Sequence, residues 1–288
     1  MKSKHFLVIA LGILAIGCIY YFGNTVKPKA PVVETHTEDD GHEHAPMTMN
    51  DITPANFESL LAVAKKKVSP QILGKLRDLE QSLADATTNE QKAIYLDAIG
   101  RVWYDQKNRL MAAYYVGNSG KLDNSEKKLN FASHLLSEDI KTETDPSVRK
   151  LMYDLALSYF EQSEKVNPND ASVQIDHAML YIDGGGEIMT GVGKLLAIVE
   201  KDPKNIPATI ILGKMAIQSG QFDKAVERAD IILNIDNKVL DAYLFKADAL
   251  FKLNKIQEGK KVLEEAKLMM NNPEFSKDVD EYIKNIEK

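Results

Sequence analysis

The feature that most constrains this chain is a repeat in its second half. Leu212-Gly213, Gly220, Ala225, Ala229 and Ile232 are followed, 34 positions later in each case, by Lys246-Ala247, Asn254, Gly259, Leu263 and Ala266. Small residues recur where helices must approach closely and apolar ones where the next turn packs. The turns repeat as well: Asn167-Pro168-Asn169, then Asp202-Pro203-Lys204-Asn205, then Asp236-Asn237-Lys238. The first two prolines are 35 apart, which places one inserted residue near Gly184–Gly186. A unit of this length that recurs cannot bury its own apolar face and must stack on its neighbours.

Each unit reads as two helices. From Thr53 onward apolar residues return every three to four positions and strand-like alternation is rare. Thr53-Pro54, Ser69-Pro70 and Asp145-Pro146 each pair an N-cap residue with a proline in the first turn, which predicts three helix starts. Gly120, Gly184–Gly186 and Gly220 are expected at turns between helices. The whole body reads as about eleven or twelve helices joined by short connections.

On these residues the sequence resembles the tetratricopeptide-repeat family, a 34-residue helix-turn-helix unit with small residues near positions 8, 20 and 27 and a proline near 32. Leu212, Gly213, Gly220 and Ala225 carry the resemblance, with Gly-Gln-Phe-Asp-Lys-Ala at 220–225. Ala178, Tyr181, Gly185 and Pro203 match one unit earlier, and Phe160 with Pro168 the unit before that. The match covers about 145–270. It departs at Ala216, where a large aromatic is usual, and at Asn237 in the proline position. Upstream, Ala98, Gly100, Tyr104, Ala112 and Tyr115 suggest a degenerate hairpin.

The resemblance implies an all-α, right-handed α-solenoid of three to five repeats, with the first helix of each unit lining a concave groove. Carried over position by position, the groove would be lined by Ser172, Ile175, Met179, Ile182 and Asp183 in one unit. Pro207, Ile210, Lys214, Ile217 and Gln218 follow in the next, then Asp241, Leu244, Asp248, Phe251 and Lys252. The set lacks a Lys/Arg/Asn clamp for a carboxylate, so an extended or helical peptide with apolar anchors is the expected occupant. Any of these apolar residues can instead pack against an adjacent helix.

The N-terminal part has a different composition. Lys2 and Lys4 precede an uncharged run from Phe6 to Phe22, FLVIALGILAIGCIYYF. As a helix it would extend about 25 Å, near the lower limit for crossing a bilayer, with Tyr20 and Tyr21 at its far end. Three readings stand: an uncleaved signal anchor, a lipoprotein in which Leu14-Ala15-Ile16-Gly17 leads to a lipidated Cys18, and a cleaved signal. The lysine distribution places the N-terminus in the cytoplasm and the body beyond the membrane, in the periplasm of a bacterium with an inner membrane.

Residues 24–52 hold Pro28, Pro31, Pro46 and five acids between 31 and 50, too few apolar groups to form a core. The domain organisation is therefore 1–23 anchor, 24–52 acidic linker, 53–144 degenerate hairpins and 145–288 repeat domain. His36, His42 and His44 in the linker could capture a metal ion, but nothing preorganises them, and a polar spacer is the simpler reading.

Several functions are excluded or disfavoured. The net charge of -6 argues against nucleic-acid binding. Gly191-Val192-Gly193-Lys194 is not a phosphate loop, because Ile188 and Leu195 stand where glycine and a hydroxyl residue are required. No G-x-S-x-G elbow or H-E-x-x-H pair occurs, and His134 and His177 stand alone in the sequence. Trp103-Tyr104 and Tyr114-Tyr115 read as core. The expectation is a non-enzymatic scaffold with no cofactor that binds a protein partner. Self-assembly into a structural homo-oligomer and metal handling by the linker are the alternatives.

Overall fold

A computed structural model describes residue 49 and residues 52–286. The apolar run 6–22, Cys18 and the linker histidines His36, His42 and His44 lie outside the described residues. Among the described residues there are no strands, and no helix is long and apolar enough to cross a membrane.

Among the described residues thirteen α-helices follow one another. They are α1 (Phe57–Lys65), α2 (Pro70–Asp85), α3 (Asn89–Asp105), α4 (Arg109–Asp123), α5 (Glu126–Ile140), α6 (Pro146–Val166) and α7 (Ala171–Met179). Then come α8 (Ile188–Lys201), α9 (Ile206–Gln218), α10 (Phe222–Ile235), α11 (Leu240–Lys252), α12 (Ile256–Met270) and α13 (Pro273–Ile286). A π-helical turn, Leu180–Gly185, extends α7. Contacts run mainly between consecutive helices from α2 to α13, the signature of a one-dimensional stack.

Local chemistry sets the helix ends. Ser69 caps α2 by accepting from Ile72 N at 3.3 Å, and Asp145 caps α6 by accepting from Ser147 N and Val148 N. The third expected start is wrong: Thr53-Pro54 is not helical, and α1 begins at Phe57 under an Asn56 cap. Asn56 is extended, and Ala55 N donates to Ser147 O at 2.9 Å, so tertiary pairing overrides the local Thr-Pro signal. Gly120 is likewise no turn. It is buried inside α4, where a Cβ would meet Leu129 and Lys128 of α5 at 3.0 Å. The turn after α4 is made by Asn124 in the left-handed region, φ 51.

The repeat register is visible in three dimensions. Ala156, Gly191, Ala225 and Gly259 occupy one buried position on α6, α8, α10 and α12. Phe160, Leu195, Ala229 and Leu263 occupy the next, and Ser163, Ile198, Ile232 and Ala266 the third. Spacings are 35, 34 and 34 throughout. The left-handed turn residue also recurs every 34 positions: Gly186 (φ 70), Gly220 (φ 74) and Asn254 (φ 61). The extra residue in the 35-residue spacing is absorbed where α7 widens into the π-helical turn, between Ala178 and Gly186.

Small residues make the stack possible. A Cβ on Gly100 would lie 2.6 Å from Val116, on Gly191 2.5 Å from Ala178 O, and on Gly213 2.8 Å from the Phe245 ring. On Gly117 it would overlap the Tyr159 ring. A core around Trp103, Leu129, Leu136, Tyr153, Tyr159 and Phe160 runs from α1 to the end of α7, and smaller clusters continue to α13. We expect Gly117→Ala to destabilise the fold by about 1–3 kcal/mol through overpacking. Gly74→Ala, on α2 with nothing within 4 Å, should instead be neutral or stabilising by up to about 1 kcal/mol. Urea unfolding of both variants checks the pair.

Candidate partner-binding face

The odd-numbered helices share one face, and side chains tie them together. Tyr104 on α3 meets Phe131 on α5 edge to face, with centroids 5.6 Å apart. His134 on α5 lies 3.3 Å from Asp176 on α7, and Lys141 lies 3.3 Å from Asp183 at the end of α7. Lys214 on α9 donates to Asp241 on α11 at 2.6 Å. Phe251 on α11 meets Tyr282 on α13 at 6.1 Å.

The carried-over residues divide into two groups. Lys214, Gln218, Asp241 and Lys252 are exposed, as are Ser172, Asp183 and Pro207. The apolar members are more enclosed. Ile175 is only 9% exposed and packs with Ala178, Leu195 and Leu212, so it supports the face from behind. Ile182 lies against Gly191, and Met179 is half-buried. Ile210 and Ile217 are partly buried against Ala229, Ile232, Ala242 and Phe245. Leu244 and Phe251 are partly buried against the α11–α13 cluster.

Asp248 is half-buried among them, and burial pushes its carboxyl above the ordinary aspartate range, partly offset by Lys252. Burial also raises the Tyr282 hydroxyl, with Asp248 adding to the effect.

Sequence reasoning missed the other half of this face. Tyr104 and Phe131 are 45% and 38% exposed, although Trp103 and Tyr115 are core as expected. The signal was there in part: Ile94, Arg101 and Tyr104 fall on one side of α3, opposite the buried Ile99 and Trp103. Tyr114 stacks on Phe57 with centroids 3.5 Å apart.

The two histidines are not isolated. His177 is 2% exposed and is stacked between Phe160 (5.6 Å) and Tyr181 (5.0 Å). Its Nδ1 is 2.7 Å from Glu164 Oε1, and Lys194 Nζ donates to both Glu164 oxygens at 3.1 and 3.2 Å. One carboxylate thus joins α6, α7 and α8. Among the described residues no group of three His, Cys, Asp or Glu is placed to hold a metal ion.

Burial alone would raise the Glu164 carboxyl, but the hydrogen bond from His177 and the nearby positive charge hold it below the usual glutamate range. A carboxyl lowered on folding stabilises the fold above its unfolded value, near 4.5, and loses that contribution as pH falls through the folded value. We therefore expect Glu164→Gln to cost about 1–3 kcal/mol at pH 7 by leaving His177 poorly paired. The gap from the parent should shrink as pH falls below about 4.5, as read by urea midpoints across pH.

No family model matches the chain. It is similar to a TPR repeat-containing protein, YpiA, of Bacillus subtilis: 23% identical over 220 residues, covering 76% of this chain and 49% of YpiA. The chain thus spans about half the length of the curated relative it matches. That similarity supports the tetratricopeptide-repeat resemblance. Among solved structures, MamA from Desulfovibrio magneticus RS-1 is 14% identical, with TM-score 0.48, covering 62% of this chain and 96% of that one. YrrB, described as a TPR protein with an unusual peptide-binding site, is 14% identical, with TM-score 0.45, covering 66% and 92%.

Proposed function

We propose that this chain is a membrane-tethered adaptor that holds a partner polypeptide along its odd-helix face. Tetratricopeptide-repeat proteins generally mediate protein–protein interaction. The observation that carries the reading is the face itself. From Tyr104 to Tyr282 it presents exposed aromatic and mixed-charge side chains, with partly buried aliphatic ones between them. A peptide laid across it would meet apolar anchors at Met179, Ile210, Ile217, Leu244 and Phe251. Lys214, Gln218, Asp241 and Asp248 would set its register.

The tether belongs to the same proposal. The uncharged run 6–22 would anchor the chain, with 24–52 as spacer, hairpins over 53–144 and repeats over 145–288. The body would then lie beyond the inner membrane, in the periplasm. Confinement to a surface would raise the effective concentration of a partner held there.

The test is crosslinking of the full-length chain in its native membranes, with the captured proteins identified by mass spectrometry. Parent and the Lys214→Glu, Leu244→Asp double variant are compared. Lys214–Asp241 is an exposed pair worth about 0–1 kcal/mol, and Leu244 is only partly buried, so the helical fold should persist. We expect a specific partner to be lost from the variant while its far-ultraviolet spectrum stays unchanged. An identical partner set would reject the odd-helix face as the binding site.

A further inference from the structure

The even-numbered helices α6, α8, α10 and α12 share one register, so their outward positions can be compared directly. Helix α10 presents Asp223, Glu227 and Asp230, all exposed. Helix α12 presents Gln257, Lys261 and Glu264, also exposed. On α6 the same three positions are Asp154, Ser158 and Glu161. On α8 they are Met189, Gly193 and Leu196.

At these positions α8 is apolar where its sisters are polar, exposed on α10 and α12 and half-buried at Asp154 and Ser158 of α6. Met189 is 79% exposed and Leu196 46%. From Ile188 to Val199 the one charged residue is Lys194, and its ammonium is turned into the Glu164 pair. The buried register positions of α8, Gly191, Leu195 and Ile198, are ordinary for the stack, so the core does not require the change outside. Gly193 does not serve the core either. A Cβ there meets nothing within 4 Å, whereas Gly191 is forced by Ala178 and Ile182. A glycine in a helix interior costs stability relative to alanine, and at 193 none of the described residues uses its small size.

Two exposed apolar side chains flanking a dent at spacings of four and three residues are the ridge and groove that a crossing helix packs into. The surroundings indicate what kind of helix. The neighbouring even helices carry exposed Glu161 on α6 and exposed Asp223 and Glu227 on α10, with half-buried Glu187 just before α8, against Lys165 and Lys224. An acid-weighted rim repels an anionic lipid surface and disfavours a second copy of the same rim. It suits an apolar seam bordered by cations.

We propose that the outer face of α8 is a second docking site, separate from the odd-helix face, and that it takes an amphipathic helix of a partner protein whose apolar stripe is flanked by Lys or Arg.

The test uses the full-length chain in neutral phosphatidylcholine nanodiscs. The probes are two labelled amphipathic peptides of about five helical turns with the same Leu/Ala stripe, one bordered by Lys and one by Glu. Binding is read by fluorescence anisotropy. The key variant combines Met189→Asp, Gly193→Glu and Leu196→Asp, which gives α8 the residues of α10. All three positions are exposed, so an unchanged or raised thermal midpoint is expected. We expect the Lys-bordered peptide to bind, the triple variant to weaken that binding about tenfold or more, and the Lys214→Glu, Leu244→Asp variant to leave it unchanged. Any of four results overturns the proposal: no binding of the Lys-bordered peptide, equal binding of both peptides, undiminished binding by the triple variant, or dependence on Lys214 and Leu244 instead. Concentration-dependent self-association abolished by the triple variant, in place of peptide binding, would overturn it in favour of a second copy.

Discussion

The structure depends on how closely two helices of a hairpin can approach. At the first buried register position of the even helices the chain places Ala156, Gly191, Ala225 and Gly259, never a large residue. At Gly191 a side chain would reach the Ala178 carbonyl of the preceding helix, and at Gly259 the Phe251 ring. A larger group would push the hairpin apart, and every later helix with it, because each unit is held mainly by its neighbours. The same constraint explains the irregularity at the end of α7. An extra residue in α7 cannot be looped out without moving Gly186 away from its left-handed turn, so the helix widens by one π-helical turn and the register resumes.

This logic was largely legible in the sequence from about residue 145 onward. Small residues at a fixed interval and a recurring Asx turn are strong, local signals. Asn167, Asp202 and Asp236 each accept from the backbone N–H two residues on, as their shared position in the repeat implies. Elsewhere one residue type serves two roles. Glycine marks a left-handed turn at 186 and 220 but a close approach at 120, and nothing local to Gly120 separates them. Asn254 performs the turn role without being glycine. At Thr53-Pro54 a good capping signature loses to a hydrogen bond with Ser147, far away in sequence.

The site was harder to read than the fold. A position in a repeat tells which helix face a residue lies on, not how deeply the next unit covers it. Ile175 and Met179, four residues apart on one helix, end with different exposure because Leu195 and Leu212 close over Ile175. Tyr104 is exposed and Trp103 buried, although adjacent aromatics read alike in sequence. The Glu164, His177 and Lys194 node joins residues from three helices, an assembly no local pattern contains. Two surfaces result, a mixed odd-helix face and an apolar stripe on α8, each of which we propose as a separate contact site.

Native-state hydrogen exchange on the full-length chain carrying Ala225→Leu tests the stacking account most directly. Ala225 is buried against Ala216 and Ala249, where a leucine cannot fit. If units are stable only through their neighbours, protection should fall in α9 and α10 and, to a lesser degree, in the flanking helices α7, α8, α11 and α12. Helices α3 to α5 should stay protected. Loss confined to α10, or equal loss from α3 to α13, would contradict it.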